Sequence, residues 1–269
     1  MSIVLNEHEW AKEMIECRQL GKKPFDTIRR ISRYYFDLGY KRRDVRRTID
    51  RFVFQCGESP TSKRWSDKID GAITMAQKNK AIIIDRIVIT KPEMAIIESL
   101  VGSQVQKLAF TLLCLAKYRN AVSPLSDSWV SCKDNEVMKM ANIHTSVRKQ
   151  SEYYHSLIES GVIRPSKKID NTNIQVLFAE DGDTAIEITD FRNLGYQYLL
   201  YHGDKRFFVC QNCGIITKKK KDAPEEELQV RGRKQKYCGE CAIKVNIQKT
   251  MVRVMRNKNT YDGEDNTSF

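Results

Sequence analysis

Four cysteines in two tight pairs, Cys210-Gln-Asn-Cys213 and Cys238-Gly-Glu-Cys241, carry the most specific chemistry in this 269-residue chain. Thiolates spaced C-x2-C can both reach one tetrahedral Zn2+, and a second such pair closes the shell. Four thiolates leave no open position for a substrate, so the expectation is one structural Zn2+ rather than a catalytic one. Two redox pairs are the competing reading, but neither pair opens the βαβ pattern of a thioredoxin-type motif. Cys17, Cys56, Cys114 and Cys132 lie at no regular spacing. They read as free thiols of a reducing compartment, not as a secreted disulfide framework.

The cysteine pairs sit inside a strongly basic stretch. Between Lys205 and Lys258 there are 15 Lys and Arg against 5 Asp and Glu; between Arg18 and Arg51 there are 12 against 4. Since the whole chain carries +12, the remainder must be net acidic. Two basic regions alternating with an acidic one point to a polyanionic partner. A solvated lysine face is the plainer alternative. The candidate phosphate-gripping residues here are Lys218, Lys219, Lys220, Lys221, Arg231, Arg233, Lys234, Lys236, Lys244, Lys249, Arg253 and Arg256.

Elements that position these residues follow from periodicity. Residues 1–80 read as a basic helical bundle. Asn6-Glu7-His8-Glu9 has the form of a capping box, and Pro24 opens a helix with the stripe Phe25, Ile28, Ile31, Tyr34, Tyr35 and Leu38. A third helix turns Val45, Ile49, Phe52 and Val53 inward and Arg42, Arg43, Arg46 and Arg47 outward, and a fourth buries Trp65, Ile69 and Ile73. The β-branched run 81–90 reads equally as a strand or a structured linker.

Residues 90–180 have the element order of a winged helix-turn-helix: a short strand at 128–130, a helix opened by a Ser131–Asp134 box, a turn at 142–144, a longer helix capped by Thr145, then a hairpin. In that longer helix Val147, Tyr154, Leu157 and Ile158 are expected to face inward. Ser146, Arg148 and Lys149 would occupy the end that meets base edges, and Lys167 and Lys168 on the wing would lie near phosphates. A winged helix that binds protein or packs internally is the alternative. Residues 200–260 hold the four-cysteine module and its basic helix, and 261–269 form a polar tail.

The run Lys236-Tyr237-Cys238-Gly239-Glu240-Cys241-Ala242, followed by a basic helix, resembles treble-clef zinc fingers common in prophage and mobile-element proteins. The pattern from Ser103 to Phe178 resembles winged-helix replication or regulatory proteins of phages and plasmids. These resemblances imply a mainly α protein with small β elements whose partner is nucleic acid, double-stranded DNA first; RNA stays open. They imply sequence contact by the winged helix, backbone contact by the zinc module, and a role in replication or transcriptional control. The alternative is an inhibitor or adaptor that targets a host protein, a nucleic-acid enzyme or a defence system; a finger that only docks domains is the plainest case.

Catalysis is not expected. Of His8, His144, His155 and His202, none lies between Cys210 and Cys241, where an HNH-type nuclease needs its base. No P-loop, G-x-S-x-G or H-E-x-x-H motif occurs. The N-terminus carries Glu7 and Glu9 and lacks the apolar core of a signal peptide. The longest apolar run, Leu108–Ala116, is too short for a bilayer. The expected location is therefore the cytoplasm of a bacterial host cell, with no membrane partner.

Overall fold

The computed structural model describes residues 3–166, 173–219 and 235–261, with side chains as far as 255. Helices dominate, with small antiparallel sheets. The chain begins with α1 (Glu7–Glu16), α2 (Pro24–Asp37), α3 (Arg42–Gln55), α4 (Lys63–Gln77), β1 (Ile87–Thr90), α5 (Lys91–Ser99) and α6 (Ser103–Val122). It continues with β2 (Trp129–Ser131), α7 (Asp134–Met140), α8 (Val147–Glu159), β3 (Ile163–Pro165), β4 (Asn173–Val176) and β5 (Thr184–Ile188). Last come α9 (Leu194–Tyr201), β6 (Phe207–Val209), β7 (Ile216–Lys218) and α10 (Gly239–Tyr261).

These elements divide into two compact units that alternate along the chain. The first is Met1–Ala95, Cys114–Val130 and Asn173–Phe191; the second is Ile96–Leu113, Ser131–Thr172 and Arg192–Phe269.

In the first unit α2 packs against α1, α3 and α4. Its core gathers Ile28, Ile31, Val45, Ile49, Phe52, Trp65, Ile69 and Ile73, the stripes that helical spacing brings to one side of each helix. Phe25 and Leu38 belong to the expected α2 stripe but are 37% and 52% exposed, because they sit where the helix begins and ends. The Asn6 carboxamide accepts from the backbone N–H groups of His8 and Glu9, so the cap forms.

Glu7, in the first turn of α1, is buried. Its buried carboxylate accepts from Arg33 Nη1 at 3.0 and 3.1 Å and pairs with Arg30 Nε at 3.2 Å. It also accepts from Ile82 N–H at 3.2 Å, which ties the segment after α4 to α1. A second buried acid, Glu93, accepts from the N–H groups of Thr90 and Glu180 at 2.7 and 2.8 Å and pairs with Lys117 Nζ at 2.7 Å. Both carboxylates meet the requirement that a charge taken out of water be paired and hydrogen-bonded. β1 and β5 run antiparallel with Ile87 opposite Ile188 and Ile89 opposite Ile186, so residues 87–90 are a strand rather than a linker.

In the second unit α9 approaches the end of α7 closely. A Cβ on Gly195 would lie 1.9 Å from the Ala141 carbonyl oxygen, so only glycine fits there. The turn between α7 and α8 is pinned at Asn142: its amide donates to Asn193 Oδ1 at 3.0 Å, and its carbonyl accepts from Lys107 Nζ at 3.1 Å. Burial pushes the Lys107 ammonium below its ordinary range.

Candidate metal centre and nucleic-acid interface

The cysteine pairs converge because a hairpin delivers one and a helix start delivers the other. β6 and β7 pair antiparallel, Val209 opposite Ile216, and the chain between them folds back into a knuckle. There Cys210 N–H donates to the Ile215 carbonyl at 2.9 Å and Gly214 N–H to the Cys210 carbonyl at 3.0 Å. Gly214 takes a φ of +69°, the left-handed conformation this reversal needs. Gln211 N–H donates to the Lys236 carbonyl at 2.9 Å, drawing the returning segment alongside. Cys238 precedes α10, and Cys241 lies in its first turn.

The ligand atoms of Cys210, Cys213, Cys238 and Cys241 all lie within 4.8 Å of one another. Cys213 Sγ is 3.8 Å from Cys238 Sγ. An ion bonded to four thiolates at about 2.3 Å in a tetrahedron spaces them about 3.8 Å apart, so the donor set fits one such metal. N–H groups support the sulfurs: Cys238 N–H reaches Cys210 Sγ, and the Asn212 amide reaches Cys241 Sγ, each at 3.3 Å. Such outer partners orient ligands and stabilise thiolate charge.

Burial pushes the Cys210 thiol up, but N–H donation from Cys238, Cys213 and Asn212 outweighs it and holds the group at about 6. Cys213 goes the other way, burial and the neighbouring sulfurs pushing it to about 12. Four adjacent thiols cannot all ionise against one another; a divalent cation removes that conflict.

The knuckle is fastened to the start of α9. Arg192 Nη2 donates to the Cys213 carbonyl and Asn193 Nδ2 to the Ile216 carbonyl, each at 2.9 Å. Sequence spacing gives no sign of these two residues, since carbonyl-directed bonds leave no periodic pattern. Asp190 has the residue type to cap this helix; Asn193 occupies that position instead, in the left-handed region.

Of the expected phosphate contacts on this module, Lys218, Lys219, Lys236, Lys244, Lys249 and Arg253 are exposed. None of the six forms an ion pair among the described residues. Arg256 lies on α10, with its side chain outside the described part. Lys220, Lys221, Arg231, Arg233 and Lys234 also fall outside the described residues, as do Lys167 and Lys168 of the expected wing.

Around α8 the cap shifts by one residue: Ser146, not Thr145, accepts from Lys149 N–H, at 3.4 Å. α7 is capped at Lys133, two residues past Ser131, and the Lys133 side chain makes no cap hydrogen bond. Ser146, Arg148 and Lys149 occupy one exposed turn, the Arg148 side chain being 91% exposed. Leu157 is fully buried as expected, but Val147 is 77% exposed and Ile158 39%. Val147 starts the helix, where no preceding turn shields it. Arg148, Ser151, Glu152, Tyr154, His155 and Ile158 line a shallow groove along the helix.

The arginines of the first basic region behave differently. Arg30 and Arg33 are buried on Glu7, and Arg46 pairs with Asp50 at 2.9 Å and with Asp70. Arg42, Arg43 and Arg47 are exposed as expected, Arg42 also donating to Gln77 and Thr74 at 2.8 and 2.9 Å.

No protein-family model, curated protein or solved structure matches the chain. Among the described residues no helix is long and apolar enough to cross a membrane.

Proposed function

We propose that this chain is a DNA-binding protein of the kind phages and other mobile elements use in replication or transcriptional control. In this reading the four cysteines hold one structural Zn2+, and the metal fixes a helix and hairpin that carry cations to the phosphate backbone. The observation that carries it is the set of exposed cations on this module, Lys218, Lys219, Lys236, Lys244, Lys249 and Arg253, none of which forms an ion pair among the described residues. Phosphate neutralisation by such an array releases counterions and makes affinity steeply salt-dependent.

The element order β2, α7, α8, β3, β4 supports a winged helix-turn-helix, with Ser146, Arg148 and Lys149 on the turn that would enter a groove. β4 lies beside β2, where Val176 N–H donates to the Ser128 carbonyl at 3.1 Å. The protein is not an enzyme in this reading, since the four-thiolate shell has no open position.

Selection from a random duplex pool tests the proposal. Enrichment of a defined motif is expected, and Arg148→Ala with Lys149→Ala should relax it by about 1–3 kcal/mol for each base no longer read. No enrichment and no duplex binding at low salt would reject it. The shallow groove along α8, where Ile158 is 39% exposed beside Tyr154, gives a specific reason for a second reading, an adaptor or inhibitor that binds a host protein. A host protein retained on the chain after nuclease treatment is the outcome that favours it.

A further inference from the structure

α10 leaves a broad apolar face in water. Ile243 is 62% exposed, Ile247 49%, Met251 57%, Val254 51% and Met255 65%. At about 100° per residue these five fall within an arc of about 120°. Lys249, Arg253 and Arg256 occupy positions on the opposite side of the same helix. From Asn246 to Met255 every residue is exposed. The segment is also rich in β-branched residues, Ile243, Val245, Ile247, Val252 and Val254, which form helices reluctantly. A helix of this kind is marginal in water without a surface to pack on.

We infer that a second copy of the chain covers this face, the two α10 helices lying antiparallel about a two-fold axis at position 249. The spacing is self-complementary. Positions 243, 247, 251 and 255 are symmetric about 249, so the axis sets Ile243 against the partner's Met255 and Ile247 against the partner's Met251. That is the isologous contact a two-fold dimer requires. Lys244, towards one edge of the arc, meets the partner's Val254, where its methylene stem can cover apolar surface with the ammonium in water.

Charge selects the same arrangement. The cations of the far side stay away from the seam when the apolar arcs meet. At each end the axis places Glu240 opposite position 258, a lysine, so residue types of unlike charge occupy facing positions twice. Area agrees as well. The exposed apolar surface is several hundred Å2 per copy, the size of patch that is often functional on a soluble protein. Two copies together bury on the order of 1,000 Å2, the size of a specific but reversible interface. The cations of both helices remain outward, available for the proposed phosphate contacts.

Sedimentation equilibrium of the full-length, zinc-loaded protein over micromolar concentrations tests the inference. A dimer is expected, and Ile247→Glu with Met251→Glu should weaken it by about 100-fold or more. Zinc content and far-UV circular dichroism at a concentration where the wild type is monomeric report whether that variant still folds. If it does not, Lys258→Glu provides the second route: it should weaken the dimer, and Glu240→Lys added to it should restore association. A wild type that stays monomeric, a folded Ile247→Glu/Met251→Glu variant that stays dimeric, or no restoration by charge exchange would overturn the antiparallel dimer. So would a monomer that floats with vesicles of anionic phospholipid through the same face.

Discussion

The two basic regions have similar sequence character, but part of the first is drawn into the fold and the described part of the second is not. In residues 18–51 Glu7 takes Arg30 and Arg33, and Asp50 and Asp70 take Arg46, while Arg42, Arg43, Arg47 and Arg51 are exposed. In residues 205–258 the described cations of the four-cysteine module face solvent, and among the described residues only Arg206 forms an ion pair, with Asp204. A cation count therefore does not measure binding capacity. What matters is whether a carboxylate elsewhere in the fold lies within hydrogen-bond reach. The first region uses part of its charge to hold helices together; the described cations of the second face outward, on a module whose four clustered cysteines could hold a metal.

The largest expected effect breaks the second region. Removing the metal with a strong chelator, or replacing Cys238 by Ser, should unfold the module, since structural zinc sites contribute on the order of 10 kcal/mol to folding. Loss of α10 helicity by circular dichroism with the first unit's transition retained is the expected result.

In the first region Glu7→Ala should cost about 3–5 kcal/mol, because Arg30 and Arg33 would stay buried without their acid. Denaturant unfolding measures it. A cost below about 1 kcal/mol would mean these arginines do not hold the fold.

A smaller effect lies beside the metal module. Gly195→Ala forces a Cβ against the Ala141 carbonyl and should destabilise the second unit by about 1–3 kcal/mol. An unchanged thermal midpoint would contradict the close approach of α9 to α7.

The smallest effect concerns acid. The Arg206 guanidinium, by hydrogen bonding, holds the Asp204 carboxyl at about 2 against an ordinary 3.8. A carboxyl depressed in the folded state stabilises it above pH 3.8, and that contribution fades as pH falls towards 2. Asp204→Asn should flatten this part of the pH-stability curve, measured by denaturant unfolding between those two pH values.

Much of the local structure was legible in the sequence. C-x2-C spacing picked out the four cysteines that cluster, and a 3.6-residue period found the buried stripes of α2, α3 and α4, since both signals are short-range. Glu7 and Glu93 were not legible as buried acids. Each stands in the first turn of a helix, where an acid ordinarily serves the dipole, and their partners Arg33 and Lys117 lie 26 and 24 residues away with no period linking them. The apolar side of α10 shows the converse limit. Helical spacing puts Ile243, Ile247, Met251 and Val254 on one side, but does not tell a face buried within the chain from one left open.

Salt dependence of duplex binding tests the central claim most directly: that the metal-held cations, not the arginines of the first region, grip phosphate. The affinity of the zinc-loaded protein should fall steeply with salt. Lys244→Ala, Lys249→Ala and Arg253→Ala together should flatten the slope by about 0.9 for each phosphate no longer neutralised. An unchanged slope in that folded variant, or binding that ignores salt, would contradict the account.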